Sequence, residues 1–544
     1  MLITTLILTL AQSPGTIAWQ TQLEGEMWSS PSIAPNGDIY IATQEYGGIL
    51  YRIDGTTGAI LDQADTRGTV EHTPAIADNG IIYLNTLRQQ LHAGSIYPIA
   101  RAGTEAFDAA TLDTLWFVTQ PGGIGGGDFA SDNSPIIGRN NRVYTGYVLW
   151  PGNGTVTSAP VNAINSLTGT IEGTSWTPGW VACPGVADED GHLYYGAEDS
   201  DAASALPLRG GGPIFEGDFI CFDGTDAMNI LWSHHAEGDF GSPVGYCDGI
   251  VYTTCRDGNL YGFDKDTGAI FAQHYLDAPT WTGSTIGRST SSNNPIIYTA
   301  TGMLGFTYSA AGATNRIIAI EVDSATGATT ELWSYHGQGI GGSFSFGNPL
   351  LDDQGDLYFT DGGGFVYCLD ATTGAQQWMA SSGSPGSCLA GPTMTNDGLL
   401  ICTQADGKIV AYNTDGNHVN DDLPWPKYKR NLRATSNLHD PIRDLFYLET
   451  PVLTAGSPST MTVQGSTSNV FLGYSLSGPG HQPIPALDCV SFLDGAQLLA
   501  TLTPNAAGIS SVTKTPPLAA AGLNVYLEAF TANEESMVVH TVIQ

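Results

Sequence analysis

Positive charge is scarce in this chain. Its 544 residues hold 18 Lys+Arg against 53 Asp+Glu, a formal net charge of −35. A surface this acidic repels phosphate backbones and anionic lipid headgroups, which argues against nucleic acid and membrane surfaces as partners. Long apolar runs are also missing: after the first dozen residues no segment is long and apolar enough to span a bilayer. The eight cysteines (183, 221, 247, 255, 368, 388, 402 and 489) include no adjacent pair and no C-x-x-C. That excludes a zinc ribbon, a thioredoxin-type site and haem attachment. Seven of them precede residue 446, so at least one thiol there is free unless Cys489 reaches across. There is no G-x-S-x-G, no Walker loop and no H-E-x-x-H. Helical periodicity is absent over any long stretch.

Glycine is abundant, at 68 residues, and Val, Ile, Thr and Tyr are frequent. This composition predicts many short strands joined by tight turns. The length predicts one large domain and a smaller one. The N-terminal "MLITTLILTLAQS" is too short to span a membrane, and Ala11 and Ser13 stand at the −3 and −1 spacing of a secretory cleavage site. Residues 1–13 are therefore expected to direct export.

One stretch recurs. "LYRIDGTTGAI" (Leu50 to Ile60) returns as "LYGFDKDTGAI" (Leu260 to Ile270) and "VYCLDATTGAQQW" (Val366 to Trp378). A second signature, a small residue and Pro, a short strand, a polar turn and a strand carrying Tyr, begins at Ser29, His72, Asn133, Ala182, Gly241, Gly347 and Ala390. A degenerate copy begins at Gly283, which gives eight. Asp54, Asp264 and Asp370 can accept hydrogen bonds from turn N–H groups, and Gly58, Gly268 and Gly374 can take the left-handed conformation that ends the turn. Trp116, Trp176, Trp232, Trp333 and Trp378 fall on fourth strands, where each can bury a flat face against the next unit.

Four antiparallel strands per repeat, at spacings of about 40 to 65 residues, predict an all-β, eight-bladed β-propeller. A single sheet cannot bury both faces, whereas a closed ring can. Gly15 to Gly25 reads as a fourth strand without a third, and the eighth repeat, ending at Gly416, lacks a Trp-bearing fourth strand. Pairing the two would seal the ring and hide two sheet edges.

These motifs resemble propellers with pyrroloquinoline-quinone-type repeats, and "WPKYKRNLRATSN" (Trp425 to Asn437) resembles a signature found beside them. The resemblance covers roughly residues 15 to 437 and implies a family of quinone-dependent dehydrogenases, outer-membrane assembly scaffolds and sensor or structural proteins. The adjacent cysteine pair common in the dehydrogenases is absent. No quinone or metal cofactor is therefore expected; pyrroloquinoline quinone and calcium belong only to an alternative reading as a divergent dehydrogenase. From Leu445 the chain runs as separate short strands, which predicts a small β-sandwich. "NVFLGYSLSGPG" and "LNVYLEAF" resemble a C-terminal domain of exported planctomycete-type proteins, which would imply surface attachment or sorting. The expected divisions are 1–13 signal, 14–424 propeller, 425–444 basic strap and 445–544 sandwich.

The strap holds Lys427, Lys429, Arg430 and Arg433, four of the 18 basic residues, and reads as a fastening to an acidic disc. His234 and His235 should point to opposite faces of one strand. "DEDGH" at Asp188 and "DDQGD" at Asp352 fall on first hairpin turns and lack calcium-loop spacing. Positions three before each repeat Pro should line the mouth of the central channel: Trp28, Glu71, Asp132, Phe240 and Phe346, with Trp281 in the sixth blade. Aromatic and acidic groups there could grip a planar or cationic ligand or plug the channel. The expectation for function is an exported binding or scaffolding protein with a protein or envelope partner. The alternatives are a dehydrogenase and an adhesion component.

Overall fold

The computed structural model describes all residues except 1–12, 45–46, 88–101, 122–127, 130–132, 139–141, 148–157, 182–183, 199–205, 208–212, 215, 225–226, 278–279, 281, 302–315, 338–347, 382, 384–389, 439, 485–488 and 533. The first repeat folds as four antiparallel strands, Ser32–Ile33, Ile39–Ala42, Ile49–Ile53 and Ile60–Asp65, in that spatial order. Six more repeats do the same, and the eighth is completed from the other end of the sequence. There Ile17–Gln22 pairs antiparallel with Lys408–Asn413, outside Leu399–Thr403 and Thr393–Met394. This is the expected closure of an eight-bladed propeller.

The repeat residues explain the blade. Asp54 Oδ1 accepts the N–H groups of Thr56 and Thr57 at 3.0 and 2.8 Å, and the Thr57 hydroxyl at 2.9 Å. Asp264, Asp323 and Asp370 hold their turns in the same way. The turn ends on a glycine with positive φ, such as Gly374 at 71°. Beside it lies the indole of the preceding blade: a Cβ on Gly374 would stand 2.6 Å from Trp333. The Trp333 N–H then donates to the Ala371 carbonyl of that turn at 3.0 Å. Trp19 on Gly58, Trp116 on Gly169, Trp232 on Gly268 and Trp378 on Gly15 repeat the contact. The ring is thus sealed by the same device where it is split, since Gly15 and Asn413, brought together from distant parts of the chain, form the eighth turn.

Trp176 departs from the expectation. It is 48% exposed, because Met228 with φ of 46° occupies the turn position that is glycine in most blades and buries its own side chain in the seam. Threonines latch neighbouring blades nearer the axis: Thr254, Thr360 and Thr403 donate to the carbonyls of Thr282, Ala390 and Ser29 at 2.9 to 3.1 Å.

After residue 446 come a three-stranded sheet (Tyr447–Glu449, Ser459–Gln464, Ser510–Lys514) and a four-stranded sheet ordered Gln497–Leu502, Val470–Ser475, Asn524–Phe530, Val539–Val542. Met461 and Val463 of the first share one core with Leu472, Val525 and Leu527 of the second. This unit rests on blade 2, where Val538 N–H donates to Asp78 O at 2.8 Å and His540 Nδ1 lies 2.8 Å from Asp108 Oδ2. Among the described residues no helix is long and apolar enough to cross a membrane. Cys221, Cys247, Cys255 and Cys368 are buried free thiols, and burial pushes the Cys221 and Cys247 thiols up to about 12.

Candidate functional site

Alternation of strand direction gives the disc two unlike faces. Connections between first and second strands and between third and fourth are tight turns; the long ones, such as 87–102 and 336–349, leave from the opposite face. The axis is closed from the turn side. Residues 425–437 lie across it, and their carbonyls accept N–H groups from innermost strands of six blades: Ile33, Ile76, Ile137, Ala187, Ile286 and Leu351 donate to Leu432, Arg433, Thr435, Ser436, Trp425 and Pro426 at 2.7 to 3.0 Å. Inner edges that would otherwise present unpaired donors are thereby covered.

The strap was expected against the acidic disc by charge. Instead it is inside the ring, with Trp425, Lys427, Lys429 and Arg433 all buried. Arg433 pairs with Asp444 at 2.5 Å and Asp78 at 2.7 Å, but Lys427 and Lys429 meet carbonyl oxygens. Backbone geometry, rather than surface charge, places them.

The positions expected at the channel mouth have unlike surroundings. Trp28 is 41% exposed, with its indole N–H 3.4 Å from Glu26 Oε2, and Glu71 is half-buried on the next blade. Phe240 is 1% exposed, in an aromatic cluster with Phe219 at 5.6 Å and Tyr261 at 5.7 Å. Its side chain turns between blades 4 and 5, where an apolar ring is more stable than in a polar channel. Val181 and Thr282, at the equivalent positions, are buried too. Asp132, Trp281 and Phe346 lie outside the described residues.

Two carboxylates on the loop side were not anticipated. Glu105 is buried beneath Arg67, whose N–H it accepts at 2.9 Å, and burial raises its carboxyl to about 7. Arg67 in turn stands 5.2 Å over the Phe117 ring. Asp239, wholly buried, pairs with Arg256 at 2.8 Å; burial raises its pKa and Arg256 opposes the rise. The signal was present in the sequence: with so few basic residues, each arginine marks a carboxylate.

The hairpin acids are structural. Asp188 Oδ1 accepts the N–H groups of Asp190 and His192, and Oδ2 accepts the Tyr194 hydroxyl at 2.7 Å. Asp352 does the same with Gln354, Asp356 and Tyr358. Asp188, Asp190 and His192 are the one trio of metal-capable side chains close enough to share an ion among the described residues. The Lys265 ammonium is already among them, 3.8 Å from Asp188 and closer still to Asp190. The trio also sits on the turn face, away from the loop side of the axis. A resident cation of opposite origin and the wrong face do not fit the calcium that a quinone site would need, so no step is derived through either group.

The family model described as "Outer membrane protein assembly factor BamB" matches residues 5–172 and 313–479. The chain belongs to this family. No curated protein matches it. Among solved structures, BamB from Moraxella catarrhalis is similar with a TM-score of 0.50 at 15% identity, over 73% of this chain and 99% of that one. Quinohemoprotein alcohol dehydrogenase from Comamonas testosteroni gives 0.55 at 12%, over 73% and 76%. A europium-containing methanol dehydrogenase gives 0.55 at 13%, over 73% and 93%. At these identities the likeness is one of fold, shared by an assembly factor and by enzymes.

Proposed function

We propose that this BamB-family chain is an exported, non-catalytic binding or scaffolding protein. In this reading residues 1–13 direct export, 14–424 form the propeller, 425–444 the strap and 445–544 a second unit, and the partner is a protein or another envelope component met by the loop face. The supporting observation is the use made of polar side chains. The acids of the Asp188 and Asp352 hairpins are consumed by turns, Glu105 and Asp239 by arginines, and the axis is closed from one side by backbone.

The test is reconstitution. Purified protein with pyrroloquinoline quinone, calcium and an artificial electron acceptor should neither oxidise alcohols or sugars nor retain a quinone absorbance after gel filtration. Turnover would replace this reading with the divergent dehydrogenase, which the two dehydrogenase likenesses favour. Separating envelope from medium and probing each for the chain tests export. Its retention on the surface only while 445–544 is present would favour an adhesion role.

A further inference from the structure

The described arginines of the propeller are each matched to a carboxylate. Arg52 meets Asp38 at 2.6 Å, Arg142 meets Glu172 at 2.9 Å, Arg288 meets Asp248 at 2.6 Å and Arg316 meets Glu331 at 2.8 Å. Lys427 and Lys429 break the pattern. They are 1% and 2% exposed, two residues apart, and no carboxylate among the described residues acts on either. Removing a cation from water without a counter-charge is strongly unfavourable. In a chain of net charge −35 the shortage of carboxylates is local to this spot.

The two ammoniums have donors to spare. An ammonium carries three donors. Lys427 Nζ uses two, to Tyr428 O at 2.8 Å and Asn431 O at 3.0 Å, and Lys429 Nζ uses one, to Pro135 O at 2.6 Å. Half of the six N–H groups therefore have no acceptor among the described residues. The buried Trp425 indole N–H and Ser436 hydroxyl on the same strap have none either. Direction is fixed as well. Ile137 donates to the strap, whereas Lys429 reaches Pro135, two residues earlier on the same blade, so its ammonium points from the strap along the axis towards the loop face. The Tyr428 hydroxyl reaches further that way, lying 3.4 Å from the Ser134 hydroxyl.

We propose that Lys427 and Lys429 form a binding site for a small oxyanion, a phosphate or a carboxylate, on the strap inside the propeller axis. Two oxygens of one anion accept from both ammoniums, the like charges cease to repel, and the spare donors gain acceptors. The site is independent of whether the propeller is a scaffold or an enzyme.

Calorimetry and thermal melts on the full chain test it, with sodium phosphate and sodium acetate titrated against sodium chloride at equal ionic strength. Saturable binding of phosphate, acetate or both supports the site, and the tighter arm identifies the chemistry. Lys429→Met should weaken that binding about tenfold or more, whereas Lys429→Arg should keep it, as should Lys408→Met on a propeller strand remote from the strap. Should the methionine variant not fold, the wild type still decides. Titrations in two buffers of different ionisation enthalpy at pH 8 should reveal proton uptake on binding. Identical melts in phosphate, acetate and chloride, or binding with no proton uptake that persists in Lys429→Met, would overturn the proposal.

Discussion

Five seams of the propeller are closed by an indole lying on a glycine, and three are not. At the seam of blades 1 and 2, Leu112 with φ of 55° stands in the turn position that is glycine in most blades, and its side chain is buried in the seam. Met228 does the same between blades 3 and 4. Gly327 between blades 5 and 6 packs on the Phe271 backbone instead. The left-handed turn is therefore constant, and the volume beside it is filled from either side of the seam. Where a tryptophan comes from behind, only glycine leaves it room. Where none docks, a Leu or Met can fill the gap despite the strain of a positive φ.

Breaking a seam outright should have the largest effect. Removing residues 1–22 deletes the fourth strand of blade 8 and Trp19, and the truncated chain should lose its cooperative melt; a sharp transition near the parent Tm would refute closure by that strand. Next, Gly374→Ala should cost about 3 kcal/mol, combining left-handed strain with overpacking on Trp333. Gly355→Ala shares a positive φ, 86°, but meets nothing within 4 Å, so about 1–2 kcal/mol is expected. Equal urea midpoints for the two would remove the docking argument. Met228→Ala should cost about 2–3 kcal/mol through the cavity it leaves.

A smaller and opposite pair of effects separates the strap from the seat of the C-terminal unit. At that seat Arg433 is ringed by Asp78, Asp440, Asp444 and Glu535, and burial raises Asp440 and Glu535 to about 7. Their folded forms bind protons more tightly than the unfolded chain, so this contribution is present at acid pH and lost as pH rises through 7. Burial lowers Lys427 to about 7, so its contribution is present at alkaline pH and lost as pH falls from about 10 through 7. Glu535→Gln should flatten the acid side of a Tm–pH curve and Lys427→Met the alkaline side; the reverse assignment would count against both. Smallest of all, Trp176→Ala should change stability by less than about 0.5 kcal/mol, since its indole is largely solvated.

The repeats were legible because their physics is local. Asp54, Thr57 and Gly58 fold their own turn, and the Pro-led hairpin could be counted eight times from the letters. His234 and His235 diverged as strand alternation requires, His234 onto Phe263 at 5.0 Å and His235 towards Glu216 at 3.2 Å. Pairings between blades were not legible. Nothing near Met228 in sequence says that Trp176 must stay outside, and nothing near Phe240 says which side of its loop is the apolar one. The strap was recognised as basic, but charge placed it on the disc and backbone hydrogen bonds placed it inside. Of the candidate site, the acids were visible as types; their partners Arg67, Arg256 and Lys265 came from other blades.

The split eighth blade sets an order of events. Asn413 Nδ2 donates to Thr16 O across 397 residues of sequence. A chain emerging from a ribosome, or from an export pore, presents its first strand long before the partner exists, and until then that strand has an open edge. Blades 1 to 7 can mature in sequence while the circle stays open, and the strap, which follows the partner strand, arrives last to hold six blades at once. That short N-terminal segment therefore waits for its partner until nearly the whole propeller has been made.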